Sequence, residues 1–552
     1  MTAAPAPSSA AIDRRALILV AALAFLVSAP SLANGFAYDD RWIIVTNVRI
    51  HDFAHWSAWF VKSYWPTFDP SLYRPLTTTA FALQWIAGGG APWIFHAVNV
   101  LLHVACAVAV ARLAAELLPA TAAIVVGALF AIDPVHVEAY ANVVGQSELS
   151  AGLVMLVAIT IYVRARRAGG PTRRDTLWLV ALYAVAVTLK EHAFVLPAWF
   201  AVAEVTLFRD AAPWRARARQ LASLFVWCGV VAAGALFARW LVLGALGGDT
   251  PHPVITDLGM RGRALVMLGV LPDLARLLVW PARLYADYSP MQVRVFATPD
   301  LSQLNGVVVV LGAFVLLAIA WRRSAVAAFA LLIAAVVWLP TANVVFPSGI
   351  LLSERTLFLP SAGVLIAVGT GLAWALRRFS AVNGARDGAL AALGLVLVVG
   401  AVRSIDRDRV WRSSEDVFYS MVVDEPLSFK GHHAWGSVLM ERNDLAGGER
   451  QWRMAMRIYP GYHQIYLDLA RAYLQHHRCD AGLPLFEQAR KLGGELPLVN
   501  AGIVACQLEL ARYRDAITTS RRAMLNDNDP PWFRARIYSA DSALAKLDSV
   551  RK

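Results

Sequence analysis

Long apolar runs separated by short arginine clusters fill the first 408 residues, and they restrict the fold more than any other feature. In lipid every backbone N–H and C=O must be satisfied within the protein, and a helix does this inside one segment. Only 16% of the 552 residues are charged, and mean hydropathy is +0.51; a soluble domain carries about 25% charged residues. Candidate spans lie near 16–33, 93–117, 121–133, 148–163, 176–189, 192–208, 220–244, 304–321, 324–342, 356–376 and 388–404. The run 263–284 is also apolar. Asp273 and Arg276 break it and Pro272 and Pro281 interrupt it, so it reads as re-entrant or interfacial. The fold class is therefore all-α, a polytopic membrane bundle of about 11 transmembrane helices. Arg14/Arg15, the clusters at 164–174 and 209–219, Arg322/Arg323 and Arg377/Arg378/Arg386 then share one side, as the positive-inside rule requires. The net charge of +12 is gathered in these runs, which suits anionic lipid and not a nucleic-acid face. Residues 1–15 form a cytosolic tail whose first part is Ala-, Pro- and Ser-rich. Ala16–Ala33 reads as an uncleaved signal anchor.

With the N-terminus in the cytosol, the loop after the first span lies on the outer face, and an odd number of crossings puts the C-terminal part there too. That loop, 34–91, starts Asn-Gly-Phe-Ala-Tyr-Asp-Asp-Arg-Trp, with Asp39 and Asp40 adjacent. Two neighbouring carboxylates at a membrane edge carry a desolvation and repulsion cost that a plain connector avoids. Trp56, Trp59, Tyr64 and Trp65 suit short helices lying flat at the interface. Further polar groups collect on the same side: Tyr73-Arg74-Pro75-Leu76; His96, Asn99 and His103 on one helical face; Asp133 through His136, Glu138 and Asn142 to Glu148; Lys190-Glu191-His192 at a tight hairpin; Asp287-Tyr288-Ser289-Pro290; and Ser353-Glu354-Arg355.

The composition becomes that of a soluble helical domain from residue 409, also on the outer side by this count. Ala455, Ala489 and Ala523 recur every 34 residues, Trp452 and Phe486 share the interval, and Pro460 closes one unit. That is the tetratricopeptide (TPR) pattern, an α-solenoid of helix pairs that holds a peptide or protein in its concave face. Cys106 and Cys228 fall in apolar runs, whereas Cys479 and Cys506 both fall in the repeats, where a disulfide is an open option.

Several roles follow from residue type. Asp39 or Asp40 could deprotonate an acceptor hydroxyl. Lys190, Arg355 and Arg74 are the cations placed to hold a phosphate, arginine bidentately and lysine as a point charge. His96, His103 and His136, with Glu138, Glu191 and Tyr288, are candidates for acceptor or sugar contacts. No His, Cys or carboxylate spacing makes a convincing metal site, and no Gly-rich nucleotide loop is found.

The ordered segments Phe36-Ala-Tyr-Asp-Asp40 with Asn47, Tyr73-Arg-Pro-Leu-Thr77, Phe95-His-Ala-Val-Asn99 with His103, Leu129 to Glu138 with Asn142-Val-Val-Gly145 and Glu148, Leu189-Lys-Glu191, Ala286-Asp-Tyr-Ser289 and Ser353-Glu-Arg355 with Leu359-Pro360 carry a resemblance. The chain resembles the TMTC proteins, transmembrane-and-TPR O-mannosyltransferases of the GT-C glycosyltransferase superfamily. The resemblance implies a GT-C-like domain over 16–408 and a TPR domain over 409–552. It implies inverting transfer of a sugar, typically mannose, from a polyprenyl-phosphate carrier to a hydroxyl, typically Ser/Thr of a protein presented by the repeats. Asp39 would be the base with Asp40 supporting it, and Arg355 and Lys190 would hold the lipid phosphate. The setting implied is a bacterial inner membrane with the site on the periplasmic face. No cofactor is called for, and a divalent cation, Mg²⁺ or Mn²⁺, stays open as a participant. A non-enzymatic TPR scaffold and a lipid-linked sugar transporter are the alternatives. Asp133 stands where such proteins often carry His, and the repeat array is short.

Overall fold

The computed structural model describes residues 12–66, 72–246, 252, 254–288, 303–378, 385–525 and 530–551. Most of the N-terminal tail, Ser289 and Pro290 of the Asp287 motif, and most of the loop at 244–253 lie outside these residues. Among the described residues there is no strand. The chain divides into two units, Met1–Ser420 and Met421–Lys552.

In the first unit α1 (Arg14–Ser28) leads into the loop that carries Asp39. The short α2 (Ala58–Val61) and α3 (Pro75–Gly88) complete that layer. Then follow α4 (Pro92–Leu117), α5 (Ala120–Ile132), the short α6 (Val137–Ala141), α7 (Gln146–Arg167), α8 (Arg173–Leu189), α9 (Leu196–Thr206) and α10 (Trp214–Leu243). After α11 (Met260–Val279) come α12 (Leu304–Arg323), α13 (Ala325–Trp338), α14 (Phe358–Arg378) and α15 (Ala385–Asp408). Seven helices among the described residues are long and apolar enough to cross a membrane, or eight if α5 and the bent continuation Pro134–Ala141 form one span. The other expected spans, α8, α9 and α13, are helical but fall short of the roughly 20 residues that bridge a bilayer. The protein is a multi-pass membrane protein.

Close helix approach builds the centre of this bundle. Gly127 of α5 faces Ala111 of α4, Gly369 of α14 faces Val126 of α5, and Gly363 of α14 sits against the Ala330 carbonyl of α13. A side chain at any of the three would collide with its neighbour, as expected where small residues let helix backbones meet. The arginines gather at one end: Glu116 takes Arg164 and Arg167, while Glu204 takes Arg166, Arg217 and the Tyr162 hydroxyl. The Asp39 loop lies at the other end.

One reading is corrected. Pro272 does not interrupt its run; it lies inside α11, which continues to Val279. Proline removes the hydrogen bond to the carbonyl four residues earlier, here Leu268. The backbone of Gly306 in α12 packs directly on that carbonyl, so the freed oxygen becomes a helix–helix contact.

The second unit holds the helix pairs α17 (Phe429–Glu441) with α18 (Leu445–Ile458), α19 (His463–Gln475) with α20 (Cys479–Gly493), and α21 (Pro497–Glu509) with α22 (Tyr513–Ala523). They are preceded by α16 (Ser414–Asp424) and followed by α23 (Pro530–Arg551). Ala455, Ala489 and Ala523 are each fully buried at equivalent places in the second helix of a pair. Trp452 packs on Gly436 of the preceding helix and Phe486 on Gly502 of the following one, and both are buried, so the 34-residue interval marks core positions. A disulfide joins Cys479 to Cys506, tying α20 to α21, while Cys106 and Cys228 are free and buried.

Two outcomes are expected. Denatured protein without reductant should expose two thiols to maleimide, and four after reduction. Gly306→Ala should destabilise the bundle by about 1–3 kcal/mol through overpacking on the Leu268 carbonyl, read as a lower melting transition in detergent.

Candidate functional site

The two adjacent aspartates do different things. Asp40 is fully buried, and its carboxylate accepts from the N–H groups of Ala37 (3.0 Å), Val143 (3.3 Å) and Val144 (2.9 Å). Burial pushes this carboxyl up to about 7, against the pull of its three amide donors. It pins the loop to the turn before α7. Asp39 is part exposed, with 19% of its side chain accessible. Its Oδ2 accepts from Nη1 and Nη2 of Arg355, both at 3.3 Å.

Arg355 sits in the turn that opens α14. Its Nε lies 3.5 Å from Glu138, and its backbone N–H donates to the same carboxylate at 3.0 Å. The Ser353 hydroxyl also donates to Glu138, at 2.8 Å. A chain Asp39–Arg355–Glu138–Ser353 therefore links the first loop, α6 and α14. Two further ionic groups stand beside it. Lys190, at the end of α8, donates to Glu148 at the start of α7, and His192 Nδ1 lies 3.4 Å from the other Glu148 oxygen. Arg74 donates from Nε and Nη2 to Glu191 Oε2, at 2.9 and 2.7 Å, and Arg239 of α10 approaches Oε1 at 3.5 Å. Burial lowers the Lys190 ammonium below its ordinary value, with Glu148 opposing. Burial also works to raise the Glu191 carboxyl, but Arg74 outweighs it and leaves Glu191 below its usual range. Arg355 acts electrostatically on Glu148, Lys190 and Arg74, so the three groups form one cluster.

The cluster gathers Asp39, Arg355, Glu138, Lys190, Glu191 and Arg74 of the sequence candidates. The histidines are elsewhere. His96, His103 and His136 are buried in the helix packing, with ring nitrogens on the carbonyls of Gly35, Ala131 and Phe130. Tyr288 is buried too and donates to Glu354 (3.0 Å), which the Arg407 guanidinium also meets (3.3 Å). All four side chains are buried in this structure. The α4 face shared by His96, Asn99 and His103 points inward, which spacing alone does not reveal. Sequence reasoning passed over Arg239, although a lone arginine near the end of an apolar helix is itself a signal. Among the described residues no three His, Cys, Asp or Glu side chains are grouped to hold a metal ion.

No family model matches the chain. It is similar to the protein O-mannosyl-transferase Tmtc2 of Drosophila melanogaster, 38% identical over 182 residues, 31% of this chain and 19% of that protein. It is also similar to the protein O-mannosyl-transferase TMTC4 of Mus musculus, 26% identical over 498 residues, 79% of this chain and 66% of that one. With the protein O-mannosyl-transferase TMTC3 of Homo sapiens it shares 24% identity over 499 residues, 84% and 53% of the two chains. The chain is thus TMTC-like over about four fifths of its length, and it spans less than two thirds of these relatives.

Glu148→Gln would leave the Lys190 ammonium buried with its main partner lost. Removing one partner of a buried pair costs about 3–5 kcal/mol. A fall in melting temperature is expected, and Glu148→Gln combined with Lys190→Met should recover part of it.

Proposed function

We propose that this protein is an integral membrane glycosyltransferase that moves a sugar, mannose by analogy with the relatives' names, from a polyprenyl-phosphate donor to a protein hydroxyl. The observation that carries the reading is the part-exposed Asp39 carboxylate held by Arg355 within a cluster of paired charges at one end of an apolar bundle. A scaffold has no use for such a cluster, and a transporter keeps its polar groups at mid-membrane.

The chemistry follows from the residues. The acceptor oxygen attacks the anomeric carbon and gives its proton to Asp39. The bond from that carbon to the phosphate oxygen breaks, and the configuration inverts. The departing phosphate takes the bonding pair and needs cations where its charge grows. Arg355 and Lys190, with Arg74 beside them, supply those cations. Arg355 keeps its backbone N–H and Nε on Glu138 while its two Nη groups turn from Asp39 to the phosphate. Donor binding then frees the Asp39 carboxylate to act as the base. Asp40 is the support that holds the loop, through its three amides.

The end of α15 and the residues after it lie against the first loop, through Gly35 N–H to the Arg412 carbonyl at 2.9 Å. The chain thus leaves the first unit close in sequence to residues that touch the Asp39 loop, and the repeats that follow would present the protein acceptor. The Cys479–Cys506 disulfide suits an oxidising compartment, the periplasm in a bacterium. With the arginine end in the cytosol, the site opens to that compartment.

Asp39→Asn should lower transfer of labelled sugar from polyprenyl phosphate to protein by roughly 10²–10⁴-fold, the usual worth of a general base. The melting transition should hold. Wild-type transfer by this variant would rule out the mechanism.

A further inference from the structure

The backbone that presents Asp39 is bent by its neighbour. Tyr38 has φ +55°, a left-handed conformation that a bulky residue seldom adopts. The reversal lets the Ala37 N–H reach the Asp40 carboxylate two residues beyond Tyr38. Such a conformation persists where surrounding structure over-determines it, and it concentrates at functional sites.

What surrounds it comes from a stretch far along the chain. The Tyr38 N–H donates to the Ser414 hydroxyl at 3.0 Å. The Tyr38 ring stands edge-on to Phe418, with centroids 5.8 Å apart. Gly35 donates to the Arg412 carbonyl, and a Cβ on Gly35 would press on that oxygen at 3.3 Å. Asn34 donates to Asp408 at 3.4 Å. Ser414 is not occupied in capping α16. Ser413 does that, with its Oγ accepting from the Asp416 N–H at 3.1 Å. The Ser414 hydroxyl therefore serves the first loop. Asp39, Asp287, Arg355 and Glu138 all act electrostatically on the Tyr38 phenol, so the clamped residue belongs to the charged cluster.

We propose that Ser414 and Phe418 are positioning residues for the transfer reaction, holding Tyr38 in its left-handed turn and so aiming the Asp39 carboxylate at the acceptor hydroxyl. This rests on the reading of Asp39 as the base. Neither residue touches substrate. Their effect belongs to the rate of the chemical step, because misaiming a base by about an ångström is costly while donor affinity depends on the cations.

The test uses purified full-length protein with labelled polyprenyl-phosphate mannose and a Ser/Thr-containing acceptor peptide. Ser414→Ala should lower kcat on the order of tenfold, with KM for the donor within about twofold. Its melting transition should match the wild type, and Ser414→Thr should restore most of kcat. If Ser414→Ala does not fold, Phe418→Leu carries the same expectation. Wild-type kcat in the folded variant, or a Thr variant as slow as the Ala variant, would overturn the proposal. Asp39→Asn runs alongside. If it is inactive while Ser414→Ala is normal, only this inference fails; if it is active, the base assignment fails first.

Discussion

Opposite charges withdrawn together from water are the constraint on which the bundle's Asp39 end depends. Arg355, Lys190, Arg74 and Arg239 are each largely buried, and each is matched to a carboxylate: Asp39 and Glu138, Glu148, and Glu191 for the last two. An unmatched ion in such a place costs several kcal/mol, on the order of what a whole domain has to spare. The pairs also join segments that are distant in sequence, because the carboxylates come from the first loop, α6, α7 and the α8–α9 hairpin. A lipid phosphate entering the cluster brings its own negative charge, so it exchanges for a carboxylate instead of adding to a surplus of cations. Asp39 is well suited to be the one exchanged. It is more exposed than Glu138 or Glu148, and it holds Arg355 by a single oxygen, whereas Glu138 holds it at two points.

Where sequence reasoning succeeded, a local rule and the tertiary structure agreed. Arg164, Arg166, Arg167 and Arg217, read as one cluster from their place at the ends of apolar helices, do gather at one end of the bundle. The 34-residue interval was legible because Ala455, Ala489 and Ala523 occupy the same buried place. The motif residues Asp39, Arg74, Glu138, Lys190, Glu191 and Arg355 do meet.

What the sequence left open has physical causes too. A spacing of three and four places His96, Asn99 and His103 on one face but does not say what the face meets; here it meets Gly35 of the first loop, Tyr140 of α6 and Ala131 of α5. How Asp40 supports its neighbour was not legible because its donors at Val143 and Val144 lie about a hundred residues away. Pro272 looked like a helix breaker because the glycine that accommodates its freed carbonyl is on another helix. The change at 409 is one of composition; the compact units divide at Ser420, and residues within 412–418 contact the first loop.

The most direct measurement is an experimental structure of the full-length protein in lipid with a polyprenyl phosphate bound. The account predicts the phosphate on the Nη groups of Arg355 and on Lys190, with the Asp39–Arg355 contact opened and the Asp39 carboxylate facing the free side of the sugar position. A phosphate bound away from these cations, with Asp39 still paired to Arg355, would contradict it.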